Sequence, residues 1–543
     1  MPYTRRNILK HGATLAAVST MPSPLMAMLR TASGRGVGMV PGMGSDAIPA
    51  IEDPSVKRLT DAALDAARSA GAVYADVRLT HTFTNRMGDA PVEEESMTFG
   101  VRALVDGYWG FASSPLWTTD EAARLSRGAV HNAKANTLGK PRTMELAPTA
   151  PIANGHWTTP IKDDPFMISA DEIADFFGAI MMFIRGLPNA EPSAPKAKFI
   201  KQEKAFASTA QQYFTQRVYQ TSASIGFAVT LDGRRLSGAL DTLTPAGAGF
   251  EYIRDQPLRD QIVALHEELM RDILLPVKPV DVGRYTTVFD ASTVAQFISR
   301  SIGSATELDR ALGYEANAGG TSYITEPLSM VGALKIGAPS VTITANRTEA
   351  AGAATVKWDD EGTPPDEFTL VKEGILADMQ TNREGAGWFK DYYVKQNKPV
   401  VSHGCAYASE AIHLPLTHCA NLQLQGGTDA AVSLESLIAN ERKAMLVRHG
   451  SADMDFQQST GLGLGSVFEI RNGKRVAMLS GAGTIFRTPE LWSNVIAIGG
   501  SANRQRFGIE ASKGQPAQAS CHSVTSAPMT VKELTMIDAT RKA

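Results

Sequence analysis

Several patterns that would assign a function at once are missing. No run of eighteen apolar residues occurs in the 543-residue chain, so no membrane span is expected after the leader described below. Lysine and arginine, 53 against 56 acidic residues, form no cluster, and a formal net charge of −3 leaves no electrostatic footprint for nucleic acid. Ser299, Ser301 and Ser304 lie close together, but no G-x-S-x-G elbow is present to expose a serine as nucleophile. Gly461-Leu-Gly-Leu-Gly465 lacks the strand, spacing and helix of a dinucleotide-binding loop. His266-Glu267 begins like a metallopeptidase HExxH, yet position 270 is Met270, which leaves a solvated helix face.

What is present is globular material. With 43% hydrophobic and 20% charged residues, the chain can build two or three domains with sizeable cores. Residues 1–30 carry Arg5-Arg6 in the frame Thr-Arg-Arg-Asn-Ile-Leu-Lys before a weakly apolar stretch, the pattern of a twin-arginine export signal, with cleavage expected near Ala27 and a periplasmic destination. Residues 31–52 are Gly/Pro-rich and nonperiodic, as a linker would be. A helix is expected from about Pro54 to Gly71, since Leu59, Ala62, Ala63 and Ala66 share a face. AVYADVRLTHTF alternates as a strand, MTFGVRALVDGYWGFASS is a hairpin turning at Asp106-Gly107, and TTDEAARLSRGAVHNAKA is a helix capped by Thr119 or Asp120. A further helix capped by Ser169 follows, then strands over 196–240 expected to form a second sheet layer, and a helix ending near Pro276. From about 278 to 543 the spacing of strands and turns suggests a strand-rich barrel or sandwich. The predicted fold is α+β: an N-terminal α/β domain with a mixed sheet over 53–277 and a β-rich domain over 278–543.

The phrases GAVYADVR, GVRALVDGYWGFASS and EAARLSRGAVHNA, then GAGFEYIRD, Asp359-Asp360-Glu361-Gly362, LVKEGILADM, SLESLIANERKAMLVRHG and GTIFRTPELWSNVIAIG occur in this order. In order and spacing they resemble the TldD/PmbA metallopeptidases over most of residues 52–540. The resemblance implies a strand running into a helix that carries HExxxH, a cysteine in a segment G-x-C-G-K-x-G-Q, and paired subunits that enclose unfolded peptide. It also implies that the glycine-rich run 461–465 is a turn between strands.

Aligned on Phe297 and Ile298, the HExxxH positions fall on Ser299-Arg300-Ser301-Ile302-Gly303-Ser304, and the cysteine falls on Glu510 in GIEASKGQ. A peptidase zinc needs three protein ligands, an open position and a general base. Ser299, Arg300 and Ser304 supply none of these at neutral pH, and one carboxylate, Glu510, is not a site. Positions i and i+5 of an ideal helix lie about 140° apart, so the family spacing requires a distorted turn near Gly303. Independently of function, Val294, Phe297, Ile298 and Ile302 have the spacing of a core-facing helix.

The resemblance with its missing ligands implies a chain without a catalytic metal or cofactor of its own. It would be the peptide-binding subunit of a periplasmic heterodimer in which a TldD-like homologue with intact HExxxH carries the zinc and cuts unfolded peptides. Two alternatives stay open: an active peptidase with a relocated metal, or an independent periplasmic binding protein. Candidates for a relocated metal are His403, Cys405, His413, His418 and Cys419, soft ligands suited to zinc or copper, although their spacing fits no standard frame and equally suits an ordinary cleft loop. In an oxidising compartment Cys405 and Cys419 could instead pair, leaving Cys521 free.

Overall fold

Helix α1 (Pro54–Ala70) starts where Asp53 accepts the Ser55 N–H at 2.7 Å and ends at Gly71, whose φ of 102° closes the helix in the left-handed region. The computed structural model describes residues 49–88, 92–137 and 144–540. Residues 1–30, expected to be a twin-arginine leader, and most of the expected linker 31–52 lie outside these residues. Strands β1 (Tyr74–Met87), β2 (Val92–Val105) and β3 (Tyr108–Ser114) form an antiparallel meander, β2 turning into β3 at Asp106-Gly107, both with positive φ as a tight hairpin requires. Helix α2 (Thr119–Asn136) follows, and its cap is Thr118, one residue before those expected, because the Thr118 hydroxyl reaches the Glu121 N–H at 3.3 Å.

After β4 (Ile152–Thr158), α3 (Ala170–Arg185, capped by Ser169) and β5 (Ala190–Pro192) come the long strands β6 (Lys196–Ser208) and β7 (Gln212–Ser224). These two do not start a second layer. β6 pairs antiparallel with β1, Asp76 opposite Ser208, so one six-stranded sheet runs β3-β2-β1-β6-β7-β4. Only β8 (Gly226–Leu231) and β9 (Arg234–Ala239) separate, joining β5 in a three-stranded sheet beneath α3 and α4 (Leu258–Asp272).

The large sheet is buried on both faces where it matters. Val77 and Leu79 of β1 pack with Leu59, Leu64 and Leu125 of α1 and α2. The alternate residues Asp76, Arg78 and Thr80 are buried too, against the C-terminal half of the chain. Arg102 donates to Asp76 Oδ2 and to Glu361 Oε1, and Lys204 Nζ sits 3.1 Å from both oxygens of Asp360. Asp360 and Glu361 are therefore buried ion-pair ties between the two halves.

In the C-terminal half, β10 (Val277–Pro279) and β11 (Gly283–Phe289) lead into α5 (Ala291–Ile298). Strands β12 (Ile343–Asn346), β13 (Glu367–Lys372), β14 (Ile375–Leu376), the short pair β15 (Ala406–Tyr407) and β16 (Leu416–Thr417), and β17 (Leu422–Leu424) come next. They are followed by β18 (Lys443–Met454), β19 (Thr460–Arg471), β20 (Lys474–Ser480), β21 (Ala482–Arg487), β22 (Val495–Ile498), β23 (Gln505–Lys513), β24 (Gln518–Ser526) and β25 (Met529–Asp538). Five of them, β19-β18-β11-β25-β21, close on themselves because β21 also pairs with β19, which makes the expected barrel. A second six-stranded sheet, β14-β13-β12-β17-β24-β23, stands beside it.

The run 461–465 is not a turn but the first half of β19. A side chain at Gly463 would meet Thr484 Cγ2 at 2.7 Å and Phe297 Cζ at 2.9 Å, so the bare backbone there lets the barrel close over Phe297 of α5.

Candidate functional site

Helix α5 is positioned from both ends. Asp290 caps it, one carboxylate oxygen on the Thr293 N–H at 2.9 Å and the other on the His449 N–H at 3.0 Å, tying the helix start to β18. Val294, Phe297 and Ile298 are fully buried, and Phe297 packs against Phe289 and Phe486 with centroids 5.1 and 4.9 Å away. The helix then widens into a single π turn over Ser299–Gly303, closed by the Ser304 N–H on the Ser299 carbonyl, which is the distortion expected near Gly303. A Cβ at 303 would stand 2.8 Å from Cys419 Sγ and 3.0 Å from Leu422, so only glycine lets the turn lie against that wall.

The π turn points its serines inward and its arginine outward. Ser299 Oγ shares a 2.9 Å hydrogen bond with His522 Nε2, both groups buried. Burial, and then the nearby Arg300 charge, push the His522 pKa down to about 3, so the ring is neutral. Ser301 Oγ donates to the Phe297 carbonyl and accepts from Trp492 Nε1 at 2.9 Å. Ser304 Oγ reaches the Ser299 carbonyl at 3.4 Å. Arg300 extends to the Glu510 carbonyl, a long 3.4 Å contact, while the Glu510 side chain pairs with Lys198 of β6 at 3.2 Å.

Arg300 and Glu510 border a cavity of 520 Å³ between the two halves of the chain. One wall is β6 and β7, with Lys198, Gln202, Lys204 and Gln220. Opposite lie Ser512 of β23, Ser520 and Cys521 of β24, and Arg347, Tyr407, His418 and Cys419. Cys521 is pushed up to about 12 by burial and by Glu510, and burial also raises Cys419 well above the ordinary thiol value, so neither is a ready thiolate.

The structure disperses the five candidate ligands of the 403–419 segment. His418 and Cys419 face the cavity. His403 lies elsewhere, stacked on Phe368 and held between Asp366 at 2.8 Å and Asp378 at 3.6 Å; burial alone would lower its pKa, but the two carboxylates carry it up to about 9. A ring charged at both nitrogens has no lone pair for a metal. Cys405 is buried with its thiol pushed up to about 12 by desolvation, and His413 bonds Ser409 Oγ at 2.9 Å. The three cysteines are free thiols. His266 bonds the Pro188 carbonyl at 2.8 Å.

The zinc implied by the resemblance does not fit the residues at the π turn. Ser299 Oγ is engaged by His522, the Arg300 guanidinium adds a fixed positive charge, and Glu510, the one strong ligand of the four, is paired with Lys198. Among the described residues no three His, Cys, Asp or Glu side chains are grouped to hold a metal ion.

Sequence reasoning missed His522, Lys198, Lys204 and Arg347. A signal existed for one part of this wall. The Lys513–Gln518 pair sets the β23–β24 register, and counting outward puts Cys521 opposite Glu510 and His522 opposite Ile509.

The pattern of the PmbA/TldA metallopeptidase C-terminal domain matches residues 282–537, which contain the strand, the π turn and Glu510, and that of domain 1 of the same family matches residues 89–133. This chain belongs to the PmbA/TldD family. A metalloprotease of Methanocaldococcus jannaschii is 23% identical over 421 residues, 76% of this chain and 86% of its own length. A metalloprotease of Methanothermobacter thermautotrophicus is 25% identical over 322 residues, 58% of this chain and 65% of its own length. Among solved structures, a protein described as a modulator of a DNA gyrase from Thermotoga maritima superimposes with a TM-score of 0.67 at 13% identity, over 89% of this chain and 100% of that one. TldE from Thermococcus kodakarensis gives 0.64 at 12% identity, over 89% and 99%. These likenesses show that the fold is shared over 89% of this chain.

Proposed function

We propose that this chain is the non-catalytic, peptide-holding subunit of a metallopeptidase pair in the periplasm, reached by the twin-arginine route. Its partner would be a homologue with intact HExxxH, which supplies the zinc and the general base. The observation that carries this reading is Arg300, a permanent cation at the mouth of the interdomain cavity where the family resemblance places the base. A proton-transfer role is closed to a guanidinium, while binding is open to it. The metalloprotease relatives and the TldE neighbour support the family half of the proposal.

The cavity offers a binding mode that needs little sequence preference. β23 is the edge strand of its sheet, and Gly508 gives its N–H to Thr244 Oγ1 while Glu510 offers its carbonyl to Arg300. The even-numbered residues of β23 therefore turn their backbone away from β24, to the sheet edge, and Glu510 and Ser512 line the cavity, where an extended peptide can add by main-chain hydrogen bonds.

Co-expression with an intact-motif homologue from the same cell tests the pairing. A heterodimer is expected by size-exclusion chromatography with mass analysis, with peptidase activity that disappears when the partner's motif glutamate is changed. Homodimers alone, with no capture of the partner, would overturn the proposal.

A further inference from the structure

The cavity holds cations that are already matched and others that are not. Lys204 is spent on Asp360 and the Ala408 carbonyl, and Lys198 on Glu510. Arg347 is buried and gives its hydrogen bonds to the carbonyls of Ala354, Gly404 and Ala406; the buried Asp359, which feels its charge, is itself held up to about 7 by burial and by Glu361 and so offsets that charge only in part. Arg300 has its single long contact with the Glu510 carbonyl.

His418 adds a second and independent sign. It is 4% exposed, lines the cavity, and shares a 3.0 Å hydrogen bond with Ser520 Oγ through Nδ1, yet its Nε2 is buried and has no partner among the described residues. Burial, reinforced by Lys513 and Arg347, holds its pKa well below the ordinary value, so the ring is neutral. When Ser520 donates to Nδ1, Nε2 carries the proton and becomes a donor lacking an acceptor. An unmet buried donor is destabilising, and among cations the group that relieves it best is an anion.

We propose that this cavity grips the C-terminal carboxylate of a bound peptide, Arg300 and Arg347 supplying the charge and His418 Nε2 a directed hydrogen bond. The proposal rests on the peptide-holding reading above and names which end of the peptide enters. The edge of β23 supports a chain end rather than a passing segment. Thr244 Oγ1 already occupies the edge at Gly508, so a strand added along Glu510 and Ser512 must stop there. The cations select the carboxylate end and repel an ammonium.

The test is calorimetric titration of the purified mature protein with one unstructured hexapeptide made as the free acid and as the C-terminal amide. The free acid is expected to bind at least about tenfold more tightly, the scale of one charge-assisted hydrogen bond. That preference should fall to near unity in R300Q, whose side chain lies at the cavity mouth, and shrink in H418Q, with circular dichroism confirming the fold of each. Equal affinity for acid and amide would overturn the carboxylate grip while leaving peptide holding intact. Binding of neither peptide would overturn both. A preference unchanged in R300Q and H418Q would place the carboxylate elsewhere. Inorganic phosphate, titrated alone, should bind more weakly than the free acid; tighter binding would make this a site for a free anion instead.

Discussion

Arg102 Nη1 lies 2.8 Å from Glu361 Oε1, a single bond that joins the second strand of the N-terminal sheet to the acidic run of the C-terminal half. The same guanidinium holds Asp76 Oδ2 at 2.6 and 2.9 Å and lies over the Trp109 ring, 4.1 Å from its centroid. Arg102, Asp76 and Glu361 are all buried, so removing one partner strands the others in a low-dielectric interior. R102M is therefore expected to lower the unfolding free energy by about 3–5 kcal/mol, read from denaturant midpoints. A loss within about 0.5 kcal/mol would mean that the two halves are held by other contacts.

Three histidines predict a stability maximum near neutrality, with opposite signs on its two sides. His403 has a folded pKa of about 9, above the unfolded value of 6.5, so its contribution is complete below pH 6.5 and is lost as pH rises through 9. The amount is about 3 kcal/mol at most. His522, at about 3, and His418, well below 6.5, are held neutral. The unfolded chain binds their protons first, so their contribution is present above pH 6.5 and falls away below it, by up to about 1.4 kcal/mol per pH unit for each ring. Denaturation curves of wild type and H403Q between pH 5 and 9.5 should show the alkaline limb flattened in the variant and the acid limb retained. An alkaline limb unchanged in H403Q would contradict the Asp366–His403–Asp378 cage.

The sequence was legible where structure is local. Gly71 ends α1, Asp106-Gly107 turns the hairpin and Ser169 caps α3, because each of these acts within a few residues. The distorted turn at Gly303 followed from the family spacing and helix geometry, and it is there as a π turn. The pairing of β6 with β1, across more than a hundred residues, leaves no local mark, so the sequence reads as two layers where the structure has one sheet. The cavity was opaque for the same reason: Lys198, Arg300 and Glu510 come together only through tertiary packing, and His418 and His522 carry no ligand spacing. Gly461 and Gly463 mislead because the closeness of Phe486 and Phe297, which explains them, is invisible along the chain.

The proposed export rests on Arg5 and Arg6, which a twin-arginine translocase would read as an address rather than as charge. Replacing both with lysine preserves the charge and removes the address. Cell fractionation is expected to find the R5K/R6K precursor retained in the cytoplasm while wild type reaches the periplasm at its processed length. Normal periplasmic accumulation of the double variant would remove the export argument.

Metal content is the most direct measurement on the π turn. Zinc there would need imidazole, carboxylate or thiolate donors free to bind, and Ser299 is tied to His522 while Glu510 is tied to Lys198 beside a fixed guanidinium. The purified mature chain is accordingly expected to carry substoichiometric zinc by elemental analysis and to leave unfolded peptides uncut when assayed without a partner. S299A should leave that metal content unchanged and instead cost about 1–3 kcal/mol of stability, because His522 Nε2 would lose its only hydrogen-bonding partner in a buried place. Near-equimolar metal that disappears in S299A or E510A would put an active centre at the π turn. Metal that disappears instead in H418Q or C419S would put it on the opposite wall of the same cavity, and either result would return the chain to the ranks of catalytic subunits.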